Sequence, residues 1–192
     1  MATTQPIKNR KDLENLKRYY LEVQPNLRNY ALICIGVNTA LRIGDILHLR
    51  WQDVFDYERQ EYRKHLVVQE QKTGKKNCIA INHNMQMALQ MYKDSLQDTS
   101  PLQYVFEGRK KGQPLSRSQA FRIIKTACMD LHLPENISCH SLRKTFGYHA
   151  WVSGVNPVVL MVIYNHSSFQ VTKRYLGIEQ DDKDKVFLNL NL

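Results

Sequence analysis

One apolar segment near the N-terminus restricts the fold more than any other part of the sequence. Residues 26–40, NLRNYALICIGVNTA, carry apolar side chains at the spacing of a helix. The positions concerned, including the residue that follows the segment, are Leu27, Tyr30, Ala31, Cys34, Val37 and Leu41. The pattern predicts a core helix.

Other segments carry helical signals, including a serine cap, a glycine C-cap at Gly154 and a proline in a first turn. They span about 9–23, 84–95, 116–131, 139–153 and a short helix opened by Asn156 and Pro157. Residues 64–81, KHLVVQEQKTGKKNCIAI, are β-rich on both sides of a Thr-Gly turn and predict a hairpin. We therefore expect an α+β fold, mainly α with a small antiparallel β-sheet.

The composition favours a polyanionic partner. Lys and Arg number 27 against 18 Asp and Glu, a formal net charge of +9, which makes nucleic acid the leading class. No stretch approaches the ~18 apolar residues of a membrane span, and no apolar signal segment opens the chain. The four cysteines are far apart without a CxxC pair, which favours free thiols in a reducing cytoplasm over disulfides or a zinc site.

The motif TALRIGDILHLRWQDV, residues 39–54, places Arg42 after the core helix and Asp45 three residues later. At that spacing Asp45 can hold the guanidinium in place. A surface ion pair is the ordinary interpretation. The functional one is a planar, permanently charged group that binds a phosphate in bidentate fashion.

The motif QKTGKKN places Lys72 at the tip of the predicted hairpin, with Lys75 and Lys76 across the turn. Charged turns commonly keep a sheet edge soluble. The functional interpretation is an ammonium group that reaches into a DNA groove and protonates a leaving oxygen.

The motif CHSLRKTFGYHAW places His140 and Arg143 on one face of a helix, in its first turn. The helix dipole and the unpaired N–H groups favour an anion there. A phosphate pocket is therefore favoured over a surface pair. A Cys–His enzyme is disfavoured because Cys139 and His140 are adjacent in the helix and point in different directions. A metal site is disfavoured as well, because no second histidine lies four residues from His140.

The motif YNHSSFQVTKRYLG begins a turn at His166 and reaches Tyr175 about two helical turns later. Lys173 and Arg174 directly precede the tyrosine. Core packing is the usual role of a tyrosine. A phenol, which ordinarily titrates near pH ~10, attacks well only where its neighbours stabilise the phenolate and the group under attack.

In this order and spacing, the four motifs ALRIGD, QKTGKK, HSLRKTF and NHSS…TKRYLG closely resemble the tyrosine recombinases, the phage integrase family, from about residue 10 to 177. That family shares its catalytic fold with type IB topoisomerases. The resemblance implies a recombinase catalytic domain over residues 1–180. It also implies six catalytic residues, which are Arg42, Lys72, His140, Arg143, His166 and Tyr175. Asp45 matches a supporting acidic position.

The resemblance also implies a reaction. Tyr175 would attack a DNA phosphate and form a 3′-phosphotyrosyl link, while Lys72 protonates the departing 5′-oxygen. The arginines would bind the phosphate and the histidines would add hydrogen bonds, with no cofactor and no metal. The implied partners are double-stranded DNA, other copies of the chain in a tetrameric synapse, and an accessory DNA-binding protein. The alternatives are a non-catalytic DNA-binding regulator and topoisomerase-like strand relaxation.

Several basic residues are expected to contact DNA, and Gln119 is a further candidate for base contacts. The basic residues are Lys75, Lys76, Arg117, Arg122, Lys125, Lys144, Lys173 and Arg174. Most members of the family have an additional N-terminal helical domain, whereas here the matching region starts almost at Met1. We therefore expect weak DNA affinity, since fewer phosphates are neutralised.

The chain departs from the family pattern before His166, where Tyr164 and Asn165 replace Leu-Gly. Asn tolerates positive φ, so we expect the turn to be kept. Residues 181–192 form a tail in which Leu188, Leu190 and Leu192 alternate with polar residues. The alternation predicts a short strand that docks in cis or on a neighbouring protomer, with a frayed terminus as the alternative.

Overall fold

The structure is a computed structural model that describes residues 4–134, 136–178 and 180–190. Within these ranges the helices are α1 (Arg10–Glu22), α2 (Leu27–Asn38), α3 (Ile43–Leu47), α4 (Trp51–Val54), α5 (His83–Asp94), α6 (Arg117–Asp130), α7 (Cys139–Val152), α8 (Pro157–Tyr164), α9 (Phe169–Leu176) and α10 (Gln180–Asn189). The strands are β1 (Phe55–Asp56), β2 (Glu61–Tyr62), β3 (His65–Gln69) and β4 (Lys76–Ala80). The predicted class, mainly α with a small antiparallel sheet, is confirmed.

Helix α2 is the central element, as its sequence predicts. Every residue from Ala31 to Val37 is buried, and α1, α5 and α7 pack around it. One side of α2 faces an apolar cluster that includes Trp51 and Phe106, and the other faces a cluster that includes Tyr19 and Leu142. A helical segment that is apolar on all sides is stable only where other elements bury it on all sides, as they do here.

The predicted hairpin is confirmed as β3 and β4, which pair antiparallel with Leu66 opposite Ile79 and Gln69 opposite Lys76. Leu66 is fully buried on the face that packs against the core. A second ladder joins β1 to β2 through two residue pairs. This ladder and the short helices α3 and α4 were not predicted, because elements of two to five residues are too short to show a period.

Helices α7, α8 and α9 pack closely around a third apolar cluster that includes Leu160, Tyr164 and Leu176. Gly147 on α7 makes this approach possible, since a Cβ there would collide with the Tyr164 hydroxyl and lie 2.5 Å from Leu176 Cδ2. Helix α8 ends at Tyr164, and the φ of 56° at the following residue, Asn165, confirms that the turn keeps its left-handed conformation without glycine. This turn sets the path of the chain into His166.

The strand predicted for residues 181–192 is wrong over the described part of the tail, which is the helix α10. An alternation of three leucines is too short to fix a period of two, and Leu192 lies outside the described residues. Near the start of α10, Asp182 is buried and accepts hydrogen bonds from Lys8 Nζ at 3.0 Å and from the Tyr148 hydroxyl at 3.2 Å. The tail therefore begins against the body of its own chain.

Two further expectations concern the chain as a whole. The four cysteines Cys34, Cys78, Cys128 and Cys139 are free thiols, as their spacing predicted. In the described part of the chain, no helix is long and apolar enough to cross a membrane.

Replacing Gly147 with alanine should destabilise the fold, although Gly→Ala within a helix usually stabilises it by up to ~1 kcal/mol. We expect the free energy of unfolding to fall by about 2 kcal/mol, because the added methyl group overpacks the contact between α7, α8 and α9. The measurement is urea unfolding followed by circular dichroism.

Gly44→Ala is the matched control for this prediction. A Cβ at Gly44 would meet only the end of the Arg117 side chain, 2.6 Å from Nη2, and that flexible group can move aside. The two variants should therefore differ clearly in stability. Equal unfolding midpoints would contradict the role assigned to Gly147.

Candidate active site

The predicted catalytic residues come from separate elements that converge on one tyrosine. Arg42 is the residue before α3, Lys72 lies in the turn between β3 and β4, and His140 and Arg143 lie on the first turns of α7. His166 follows α8, and Tyr175 lies on α9. The rings of His140 and His166 have their centroids 5.1 and 4.9 Å from that of Tyr175.

Arg143 is the buried centre of the site, with 2% of its surface exposed. Its Nε donates to the Tyr175 hydroxyl at 3.0 Å, and its Nη2 donates to the Tyr164 carbonyl at 3.3 Å. Its Nη1 donates to the carbonyl of Ala40, which has a positive φ of 54° in the turn between α2 and α3. Backbone carbonyls therefore fix the guanidinium so that one N–H points at the phenol oxygen.

Tyr175 is a neutral phenol at physiological pH. Burial raises its pKa to about 12, while the charges of Arg143 and Arg42 and the hydrogen bond from Arg143 oppose the rise. Burial has the larger effect, because the phenolate loses more hydration than the two cations return. The phenol must therefore lose its proton to a neighbouring group if it is to act as a nucleophile.

The two histidines beside Tyr175 are also neutral at physiological pH. His140 retains exposed surface, yet burial of part of the ring lowers its pKa to about 4, and the surrounding cations Lys144, Arg143, Arg42 and Lys72 act in the same direction. Burial, Arg143 and Arg42 likewise lower the pKa of His166. A neutral imidazole has a lone pair, so either ring can accept a proton.

His166 is held by contacts on two sides. Its Nδ1 lies 3.0 Å from the hydroxyl of the buried Thr172, and its ring stacks on Tyr164 at 5.2 Å with an interplanar angle of 18°. Tyr164, the residue that replaces leucine in the family pattern, also contacts the Arg143 guanidinium, whose Cζ lies 4.8 Å from the Tyr164 ring centroid. Its hydroxyl donates to the Arg143 carbonyl at 2.7 Å. Tyr164 was not predicted as a site residue, although its position next to His166 was a usable signal.

The predicted support of Arg42 by Asp45 is wrong among the described residues. Arg42 precedes α3 with an extended backbone, ψ of 147°, so the helical spacing rule does not apply to this pair. The Asp45 carboxylate accepts instead from the backbone N–H of Gln71 at 3.0 Å. The ion pair of Arg42 is made by Glu70, with Nη1 and Oε2 2.6 Å apart. Glu70 was missed, although it continues the inward face of Leu66 and Val68 at a period of two.

Two lysines of the hairpin, Lys72 and Lys75, lie near the site. Lys72 is exposed and contributes to the lowered pKa of His140. Lys75 Nζ donates to Asn165 Oδ1 at 2.9 Å, which joins the hairpin to the turn before His166. Lys76 is exposed on β4. Among the residues that the structure describes, no group of three or more His, Cys, Asp or Glu could hold a metal ion.

The remaining predicted DNA contacts fall into two groups. Arg117 and Arg122 are exposed on α6, where they could reach DNA, whereas Gln119 completes the capping box of that helix by accepting from Ser116 N–H at 2.9 Å. The ammonium nitrogen of Lys125 lies 5.9 Å from the centroid of the Phe121 ring. All four residues stay predicted DNA contacts, and Arg117 and Arg122 are the exposed ones among them.

Lys144 does not lie on an open surface. It is 7% exposed, donates to the Thr4 carbonyl at 2.5 Å and lies 5.5 Å from the centroid of the Tyr175 ring. Its prediction as a DNA contact is therefore not supported, because the turn of α7 directs it towards the N-terminal segment. Lys173 and Arg174 lie in the last turn of α9, where the helix dipole stabilises cations whatever their role in DNA binding.

Comparison with known proteins relates this arrangement to a family. Residues 9–181 match the sequence model of the phage integrase family. Over 181 residues the chain is 37% identical to a probable integrase/recombinase, YoeC, of Bacillus subtilis (strain 168), and the match covers 94% of this chain and 93% of YoeC. Two further curated relatives are matched over only 53% and 52% of their length.

Two solved structures share the fold. The crystal structure of XerA recombinase has a TM-score of 0.77 at 19% identity, over 98% of this chain and 66% of that one. The Tn1549 transposon integrase in complex with transposon right end DNA has a TM-score of 0.71 at 19% identity, over 98% of this chain and 66% of that one. At these identities the likeness concerns the fold alone.

The lowered pKa of His140 predicts a pH-dependent stability. Its folded-state pKa of about 4 lies below the ordinary value near ~6.5, so between these values the unfolded chain binds more protons. The free energy of unfolding should therefore fall as the pH decreases from about 6.5 to 4, and less steeply in His140→Gln. Urea titrations at several pH values measure this slope.

His149 and His166 have lowered pKa values as well, so His140→Gln should remove only part of the dependence. The proton NMR signal of His140, assigned by its loss in the variant, should show no titration above pH ~5. A His140 signal that titrates near its ordinary pKa, with an unchanged slope in the variant, would refute the neutral ring.

Proposed function

The chain belongs to the phage integrase family, and we propose that it cleaves and rejoins DNA strands with Tyr175 as the nucleophile. The observation that carries the proposal is the hydrogen bond from Arg143 Nε to the Tyr175 hydroxyl at 3.0 Å, with two neutral imidazoles around the same ring. A tyrosine that only filled space would need neither a guanidinium at its oxygen nor proton acceptors beside it.

The proposed cleavage is a transesterification. The Tyr175 oxygen attacks the scissile phosphorus, a bond between them forms, and the bond from phosphorus to the 5′-oxygen breaks. The phenol proton passes to a neutral imidazole, His140 or His166, and Lys72 gives a proton to the departing 5′-oxygen. The products are a 3′-phosphotyrosyl link and a free 5′-hydroxyl. Attack by a 5′-hydroxyl reverses the step, so no external energy source is needed.

The two arginines would stabilise the charge that develops on the phosphate. Arg42 keeps 27% of its side chain exposed, so an approaching phosphate can reach its guanidinium. Arg143 already contacts the nucleophile, so a phosphate bound beside it is placed within reach of the phenol oxygen. Fixed cations in a partly desolvated site stabilise such charge without reorganisation. The same phosphate would raise the pKa values of the histidines and help them to hold a proton.

Double-stranded DNA is the proposed partner. The support is the excess of basic residues, the exposed Arg117 and Arg122 on α6, and the likeness in fold to an integrase solved with DNA. The tetrameric synapse, the accessory DNA-binding protein and the cytoplasmic location belong to this proposal. Specific DNA recombination and simple strand relaxation share the chemistry and differ in the need for a defined site and a second duplex.

A covalent trap tests the nucleophile. The protein is incubated at low salt with nicked genomic fragments, whose short strand diffuses away after cleavage, and adducts that resist SDS are isolated. We expect adducts with the wild type and none with Tyr175→Phe, because phenylalanine has no oxygen to attack with. Sequencing the trapped DNA defines the site.

Tyr104→Phe is the matched control for the trap. Tyr104 contacts Arg50 and His48 and lies on none of the elements that form the site. The Tyr104→Phe variant should therefore form as much covalent adduct as the wild type. Adducts that persist in Tyr175→Phe would refute the assignment. DNA binding without adducts in the wild type would favour the non-catalytic regulator.

The role of Lys72 as the acid can be tested with a sulfur atom in place of the 5′-bridging oxygen of the trapped sequence. Lys72→Ala should slow cleavage of ordinary DNA by about 100-fold or more, because the leaving alkoxide must be protonated. A thiolate leaves without a proton, so the variant and the wild type should cleave the sulfur substrate at similar rates in single-turnover assays.

Lys76→Ala separates this effect from a loss of binding. Lys76 lies on the same hairpin, and its replacement should weaken DNA binding to both substrates equally. A defect of Lys72→Ala that sulfur does not relieve would assign proton donation to another group.

A further inference from the structure

We propose that Glu70 is a positioning residue, which fixes the Arg42 guanidinium and joins it to the turn that carries Lys72. The inference rests on the proposed function, since it concerns the phosphate-binding arginine and the general acid of that reaction. Glu70 and Arg42 are 28 residues apart in the chain, and their contact links the hairpin to the start of α3.

The backbone places Glu70 rigidly at the end of β3. Its N–H donates to the Lys75 carbonyl at 2.9 Å, and its carbonyl accepts from Gly74 N–H at 2.8 Å. Its side chain lies on the same face of the strand as Leu66 and Val68 and has no exposed surface. An acidic residue thus occupies a position where the strand pattern calls for an apolar one.

Within the described ranges, one carboxylate oxygen makes both hydrogen bonds of the Glu70 side chain. Oε2 accepts from Arg42 Nη1 at 2.6 Å and from the Thr73 hydroxyl at 2.8 Å. Oε1 is buried without a hydrogen-bond partner among the described residues. Removing a carboxylate from water is unfavourable, and leaving one oxygen unpaired adds to this, so the ion pair is poorly explained by stability alone.

Glu70 is ionised in this position. Burial raises the pKa of its carboxyl, but the hydrogen bonds from Arg42 and Thr73 and the charges of Arg42 and Arg143 overcome that effect, so the pKa lies below its ordinary value. Arg42 therefore has a permanent anionic partner that restricts the rotation of its guanidinium. Such a partner acts like the carboxylates that orient a metal-bound histidine.

A second carboxylate holds the same turn. Asp45 Oδ1 accepts from the backbone N–H of Gln71 at 3.0 Å. Glu70 thus contacts Arg42 and Thr73, and Gln71 contacts Asp45. Lys72 lies in the chain between these hydrogen-bonded residues. The exposed ammonium of Lys72 extends from a turn whose backbone is fixed relative to Arg42.

Glu70 also places a negative charge beside a cation that must bind a phosphate. Its removal should loosen Arg42 and at the same time reduce repulsion of DNA. Glu70→Gln should therefore slow cleavage while DNA affinity stays equal or increases. A residue with a merely structural role would lower both together.

The first test observes Arg42 in the free protein by nitrogen-15 NMR of the arginine side chains. Arg42 is assigned by the loss of its signal in Arg42→Lys. In the wild type the carboxylate should slow rotation of the guanidinium, which gives separate Nη signals, and in Glu70→Gln these should average. Glu61→Gln is the matched control: its carboxylate is exposed and its ion pair with Arg59 is 4.0 Å long. An Arg42 signal that is the same in wild type and Glu70→Gln overturns the proposal.

The second test separates binding from chemistry on the trapped DNA sequence. Glu70→Gln should reduce the first-order cleavage rate by about 10- to 100-fold, as expected when a catalytic group is displaced by about 1 Å. The dissociation constant for DNA should not rise, and Glu61→Gln should change neither quantity. An unchanged rate, or an equal loss of rate and affinity, would overturn the proposal.

A double-mutant cycle identifies the route of the effect. If Glu70 acts through Arg42, Glu70→Gln should add no further loss of cleavage rate in an Arg42→Ala background. A full additional loss would mean that Glu70 acts through another group, contrary to the proposal.

Thr73→Val replaces Glu70→Gln in each assay if the latter fails to fold. It keeps the ion pair but removes the second hydrogen bond to Oε2, so smaller changes in the same directions are expected. The NMR test needs no DNA. Absence of adducts in the wild type therefore rejects the proposed function, while the Arg42 spectra decide separately on Glu70.

Discussion

The buried guanidinium of Arg143 is the interaction on which the site depends. A cation with 2% of its surface exposed is stable only where hydrogen-bond acceptors and polarisable groups replace water. The carbonyls of Ala40 and Tyr164 and the Tyr164 ring supply these, and they come from the turn after α2 and from the end of α8. Satisfying this one side chain of α7 therefore brings together the segments that carry Arg42, His166 and Tyr175.

The electrostatics of the site complement an anion. Burial disfavours the charged forms of Tyr175 and of both histidines, and the clustered cations lower the histidine pKa values further. A phosphate between the arginines would compensate the cations and favour imidazolium. The phenol could then pass its proton to a histidine at the point where the phosphate is in place. Under the proposed function, such a site would keep Tyr175 protonated until a phosphate binds.

The sequence predicted the elements that carry the site residues better than the contacts between those residues. Helical spacing and the hairpin signal placed His140, Arg143 and Lys72 on the elements where they are found, because each signal is local. The partner of Arg42 was assigned to Asp45 because the spacing rule treats both residues as helical, whereas Arg42 lies before α3 in extended conformation. The burial of Lys144 and the role of the Ala40 carbonyl depend on contacts across more than 100 residues, about which a local pattern carries no information.

The two arginines are held by different means, and the difference matches their proposed tasks. Neutral carbonyls of the helical framework hold Arg143, so its position relative to Tyr175 is set by the packing of α7, α8 and α9. The Glu70 carboxylate at the base of the hairpin turn holds Arg42, so the hairpin orients the Arg42 guanidinium. The Glu70 carboxylate and the hydrogen bond from Gln71 N–H to Asp45 hold the turn that carries Lys72 against the segment that carries Arg42, whereas helix packing sets Tyr175 beside Arg143.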